Sequence, residues 1–256
     1  MSWSSAADAS LGLAAVAGRW SVAPAALVAA GAALLLVASS FVRLRRAADG
    51  DRPGLGRLAL YGAGVALATL SLVSPLDAIG EDYLLSAHML QHLILGDVAP
   101  LLVVLALRGS LARHLFRAVP SPLRRVLAGL LSRPSITGGA WLLVVGLWHV
   151  PALFDDALAH PAAHELEHLS FLVTGLVVWT QIVDPAGLGL LGPGRRAALA
   201  LALLAGGTVL SEALIFCGPL YRPYVEQPDR LLGLSPAADQ ARAGLLMMIE
   251  QLATFG

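Results

Sequence analysis

Residues 86–104 read "SAHMLQHLILGDVAPLLVV", an apolar run carrying two histidines four residues apart. A helix needs about 20 mostly apolar residues to cross the hydrocarbon core of a bilayer. The apolar stretch extends from Tyr83 to Leu107, so it reads as a membrane span. His88 and His92 then lie one turn apart on one face of that helix. At about 1.5 Å per residue they sit roughly 5–8 Å and 11–14 Å below the membrane surface. Polar groups in hydrocarbon are expensive and are kept where they serve a function.

The rest of the chain agrees with a membrane setting. Of 256 residues, 57% are hydrophobic and 13% charged, against about 25% charged in soluble domains; mean hydropathy is +0.74. Formal net charge is zero, with no polybasic tail and no nucleic-acid footprint. The single cysteine, Cys217, excludes an internal disulfide framework. The opening segment, residues 1–20, lacks the basic start of a signal peptide. No soluble domain, linker or short repeat is visible, so residues 1–256 are read as a single membrane domain.

Seven apolar runs are long enough to count as candidate spans: Val22–Val42, Leu58–Val73, Tyr83–Leu107, Ile136–Phe154, Leu166–Val183, Ala197–Phe216, and one from about Ala238 to the C-terminus. The expected fold is all-α, a polytopic protein of seven transmembrane helices. The last run carries Asp239, Arg242, Glu250 and Gln251, so six spans plus a re-entrant helix is the alternative. Arginines collect in every second loop: "RLRRAADGDRPGLGR" (43–57), the 108–133 loop and "GPGRR" (192–196). Lys and Arg in short loops stay cytoplasmic. The N-terminus is therefore expected outside and the C-terminus cytoplasmic. Within "SLARHLFRAVPSPLRRVLAGLLSRP" (110–134), apolar residues alternate with arginines at helical spacing. Two short helices on the inner surface are expected, with arginines toward anionic headgroups.

On this topology six of the seven histidines fall on the outer side. His149 sits near the outer end of the fourth run, and His160, His164 and His168 mark the outer start of the fifth at spacing four, while His114 belongs to the basic inner face. One intramembrane histidine alone often just bonds a neighbouring helix. Two i, i+4 pairs on separate helices can instead put four imidazoles around one point, which is metal-ligand chemistry. Imidazole suits zinc, copper, iron and nickel alike, and soft ligands would favour Cu(I). Met89 adjoins His88 in sequence, and Met247, Met248 and Cys217 are placed near the outer ends of their helices. Asp97, Glu212 and Glu250 fall within spans, as interhelical hydrogen-bonding groups, supports for ligand histidines or proton relays. Asp155, Asp156, Glu165 and Glu167 are placed at the water interface, where Glu165 or Glu167 can join the site.

The segment 74–109, "SPLDAIGEDYLLSAHMLQHLILGDVAPLLVVLALRG", resembles the signature of the CtaG family of caa3-type cytochrome c oxidase assembly factors. "LWHVPALFDDAL" (147–158), "AHELEHLSFLVTGLVVW" (163–179) and "DQARAGLLMMIEQ" (239–251) are similar too. The resemblance runs from about Leu58 to the end, with "AHMLQH" its most specific piece. It implies a seven-helix protein of the cell inner (cytoplasmic) membrane that serves oxidase assembly without being an enzyme. It implies copper received from a donor protein and delivered to an apo-cytochrome c oxidase subunit. By matched position it selects His88, His92, His149, His164 and His168, with Met89 and Met247 as neighbours. His160 and His114 match nothing in it.

Two rivals are consistent with the same histidines. A zinc-dependent membrane hydrolase needs three of them, an open coordination position and a carboxylate base such as Asp156 or Glu165. A bis-histidine haem protein needs two facing imidazoles as axial ligands. There is no GxxxxGK[ST] loop for nucleotide-driven transport.

Overall fold

A computed structural model describes residues 12–47 and 52–256. The segment 1–11 and residues 48–51 of the first basic loop lie outside them, together with what the sequence predicts there. The described residues are all-helical. In chain order, α1 is Pro24–Arg46, α2 Leu55–Val73, α3 Pro75–Asp82, α4 Leu85–Leu93, α5 Ala99–Leu107, α6 Ser110–Ala118 and α7 Ser121–Leu131. They are followed by α8 Pro134–Trp148, α9 Pro151–Ala159, α10 Pro161–Val183, α11 Pro193–Phe216, α12 Arg222–Glu226 and α13 Pro236–Phe255.

Among the described residues, five helical stretches are long and apolar enough to cross a membrane: α1, α2, the continuous Leu85–Leu107, α10 and α11. A sixth is possible if α7 and α8, bent by 79° at their junction, count together. The expected fourth span, Ile136–Phe154, does not form as one helix. Helix α8 ends at Trp148 and Val150 is extended. Pro151 has no N–H to give and disfavours helical geometry in the residue before it. The expected outer loop 74–83 is also largely helical, as α3. Its first turn is capped by the Ser74 hydroxyl, which accepts from the Leu76 N–H. The pair expected on the inner surface is present as α6 and α7.

Helices α4 and α5 are joined by a π-helical turn, Ile94–Val98, in which the Ala99 N–H reaches back five residues to the Ile94 carbonyl. Pro100 explains the widening: it offers no N–H to Gly96 and its ring would crowd that carbonyl. The Gly96 carbonyl instead packs against Gly175 of α10, so closely that a Cβ there would land on the oxygen.

Helix α13 packs along α11 and against α4, and it terminates both. Leu84, the N-cap of α4, gives no side-chain bond. Asp239 supplies the cap from another helix, accepting from the Leu85 N–H at 2.6 Å, the Ser86 N–H at 3.3 Å and the Ser86 hydroxyl. A carboxylate on orphan N–H groups at a positive helix end contributes about 1 kcal/mol. The neighbouring Gln240 donates to the carbonyls of Leu214, Cys217 and Gly218 at the end of α11, and accepts from the Leu220 N–H. Two adjacent polar residues thus close two helix ends.

At the opposite, arginine-rich end the connections are also tied. Arg57 donates to the Arg108 carbonyl, the Gly109 N–H to Pro185 at 2.8 Å, and Gln181 to Leu131 at 2.9 Å. Asp184 follows α10 in the left-handed region, φ 50°. Partial burial would raise its pKa, but N–H groups of Gly189 and Leu188 and the Arg196 guanidinium hold the carboxyl below its ordinary value.

Candidate metal centre

Helix α4 presents His88 and His92 to α10, which answers with His164, Glu167 and His168. The ring centroids of His88 and His92 are 4.2 Å apart, His164 and His168 4.1 Å, His88 and His164 5.3 Å, and His92 and His168 5.4 Å. One ligand atom from each of His88, His92, His164 and Glu167 lies within 4.8 Å of all the others. In a tetrahedral site with bonds of about 2.0–2.1 Å the ligand atoms stand about 3.4 Å apart, so shifts of about 1 Å would close this set on an ion.

The donors are unsatisfied where they stand. His88 is fully buried, and both its ring nitrogens lack a hydrogen-bond partner. So do both nitrogens of His92, both oxygens of Glu167, and Nε2 of His164 and His168. Each such atom costs about 1–3 kcal/mol, and a cation at their centre would remove that cost together for several. Three imidazoles and a carboxylate form a borderline, sulfur-free donor set that suits divalent late transition ions.

The surroundings orient the ligands. Glu81, at the end of α3, holds His164 Nδ1 at 2.8 Å and leaves Nε2 facing the cluster, a carboxylate–histidine arrangement that fixes ring and tautomer. A Cβ on Gly80 would sit 3.0 Å from the His88 backbone, so only glycine lets α3 pass this close. Tyr224 donates to the Gly80 carbonyl at 2.6 Å. Gln91, buried between the two histidines in sequence, donates to Ser71 O at 2.8 Å and Asp77 Oδ1 at 2.7 Å, pinning α4 to α2 and α3.

His149 is not in this group. It caps the end of α8 and faces α4 on its Met89 side, with Nε2 3.3 Å from the Met89 Sδ and Nδ1 2.7 Å from the Val145 carbonyl. Met247 lines the same small cavity as Met89, His92 and His149. His160 is exposed and pairs with Asp156; His114 stays on α6. Glu167, placed at the water interface by sequence, is instead 1% exposed and inside the cluster. Asp156 and Glu165, the bases named for a hydrolase, are exposed and outside it. Phe154 packs 5.0 Å from His88 and Phe171 4.6 Å from His92. Asp97 lies beside the Trp179 indole and near Glu250, deeper than the cluster, and Glu212 is exposed on α11. Nothing in the sequence marks the parts Glu81 and Gln91 play, beyond the framing of Gln91 by the two histidines, and Asp239 reads there only as a charge in the last apolar run.

A model of the cytochrome c oxidase caa3 assembly factor family matches residues 36–256. No curated protein and no solved structure matches the chain.

Proposed function

The chain belongs to the cytochrome c oxidase caa3 assembly factor family, and on that premise we propose that its buried cluster carries copper to an apo-oxidase subunit. The observation that supports this reading is the convergence of His88, His92, His164 and Glu167 within 4.8 Å, all buried and mostly unpartnered. His168 stands ready beside them as an exchange ligand. Neutral imidazoles bind copper in either oxidation state, and a site built from several interchangeable donors releases an ion by stepwise substitution. Copper is cargo here, received from a donor protein and passed on.

The arginine pattern supports an outward-facing cluster in the cytoplasmic membrane. Arg43, Arg45 and Arg46 close α1, Arg108 and Arg133 bracket α6 and α7, and Arg195 and Arg196 stand in the first turn of α11. Helix α13 is the seventh span in this reading, its charged residues turned to capping duty at one end. In an otherwise Cys-free protein in intact cells, a membrane-impermeant thiol label reaches a cysteine at the exposed position Ala162 and misses one at Ser121. The reverse labelling would place the cluster at the cytoplasmic face and end an extracytoplasmic delivery role.

The functional test is the metal content of the oxidase. Cells lacking this protein are expected to make oxidase polypeptides and haem at normal levels while a copper centre stays empty. Added copper restores part of the occupancy by mass action. An inactive oxidase with its full complement of copper in such cells would remove copper delivery as the role.

A further inference from the structure

The Val145 carbonyl 2.7 Å from His149 Nδ1 can only accept, so Nδ1 is the donor of this pair. The proton is therefore on Nδ1, and Nε2 turns a bare lone pair toward the Met89 sulfur 3.3 Å away, itself a lone-pair donor. A second ring proton would add a charge to a ring that is only 7% exposed. Two facing lone pairs in a buried site are the arrangement a cation relieves.

The cavity beside them is lined by Met89, His92, His149, Met247, Asp97 and Gln251 among others, with a volume of about 20 Å³. That is room for about one water-sized sphere, an ion rather than an organic ligand. Gln251 and Asp97 are at most 4% exposed, and Gln251 Oε1 and Asp97 Oδ1 have no hydrogen-bond partner.

We propose that Met89, His149 and Met247 form a second metal site, selective for a soft monovalent ion of the Cu(I) class and separate from the imidazole–carboxylate cluster. Thioether and imidazole donors are soft and neutral. A monovalent ion thus brings one charge into the buried cavity, where a divalent ion would bring two. His92 belongs to the cluster and also lines this cavity, so it links the sites. An ion held in the cluster as Cu(I) would pass by exchanging its His88 bond for one to Met89 while His92 stays bound, its oxidation state unchanged. This passage rests on the carrier reading above; the site itself does not.

The full-length protein in detergent is titrated with Zn(II) and with Ag(I), a redox-inert monovalent probe. The expected result is one Zn(II) and one Ag(I) bound together, with sulfur neighbours in the X-ray absorption spectrum of the bound silver. Met89→Leu/Met247→Leu, which keeps side-chain volume nearly constant, weakens Ag(I) binding at least about tenfold and leaves Zn(II) binding unchanged. Sulfur-bound Ag(I) in a protein that binds no Zn(II) would uphold this site and remove the imidazole cluster. Displacement of Zn(II) by Ag(I) one for one, or silver with only nitrogen and oxygen neighbours, overturns the second site while leaving the first.

Discussion

The His88→Ala/His92→Ala protein is expected to bind Cu(II) at the imidazole–carboxylate cluster at least about 100-fold more weakly than wild type. Of the four groups whose donors lie within 4.8 Å of one another, only His164 and Glu167 remain, and His164 is held by Glu81 on its other nitrogen. Two ligands from one helix do not enclose an ion. In cells the variant should leave the oxidase as short of copper as the deletion does, while staying in the membrane at normal abundance. The abundance follows because neither ring makes a hydrogen bond that folding would lose, and polar contacts between membrane helices contribute only about 1–2 kcal/mol in any case. Equilibrium copper titration of purified protein, with immunodetection in membranes, measures both halves. Wild-type affinity in the variant would make these histidines packing residues.

Gly175→Ala is expected to have the largest effect on the fold. The new methyl group would fall on the Gly96 carbonyl oxygen, a backbone atom in the π-turn that has no rotamer to move. The α10 helix would have to back away from α4 and α5, at a cost of about 3 kcal/mol or more. Because α10 carries His164, Glu167 and His168, the same displacement pulls the cluster apart, so metal affinity falls together with thermal stability. Gly206→Ala is the matched comparison: its methyl meets only the end of the Leu142 side chain, which can rotate away. Thermal unfolding in detergent separates the two. A Gly175→Ala protein that unfolds at the wild-type temperature and keeps its metal affinity would show that the approach of these helices is not tight.

Much of the architecture is legible in one dimension because lipid imposes simple rules. Long apolar runs mark α1, α2, α10 and α11, and the H-x-x-x-H spacing puts His88 and His92 on one face at once. The break at His149–Pro151 is legible too, though an apolar count through Phe154 overrides it. What sequence cannot carry is contact between distant segments. Glu81 and His164 are 83 positions apart, yet their side chains meet at 2.8 Å. Glu167 looks like any acid near a helix start until α4 covers it. The division of five histidines into a cluster of four and a lone His149 beside Met89 depends on which helix stands on each side of α4. Asp239 and Gln240 read as blemishes in a weak apolar segment, because their partners, the ends of α4 and α11, lie up to 154 residues away.

The double cap on α13 also sets an order of events. During synthesis the ribosome completes the histidines of α4 and α10 long before Asp239 and Gln240 emerge. Until they do, the first N–H groups of α4 and the last carbonyls of α11 face the interior of an unfinished bundle with nothing to bond. The first turn of the helix that carries His88 and His92 is therefore capped only when the C-terminal segment docks. A nascent chain caught before that step holds its imidazoles on a helix whose first turn is uncapped, and docking of the twenty residues of α13 supplies the missing partners.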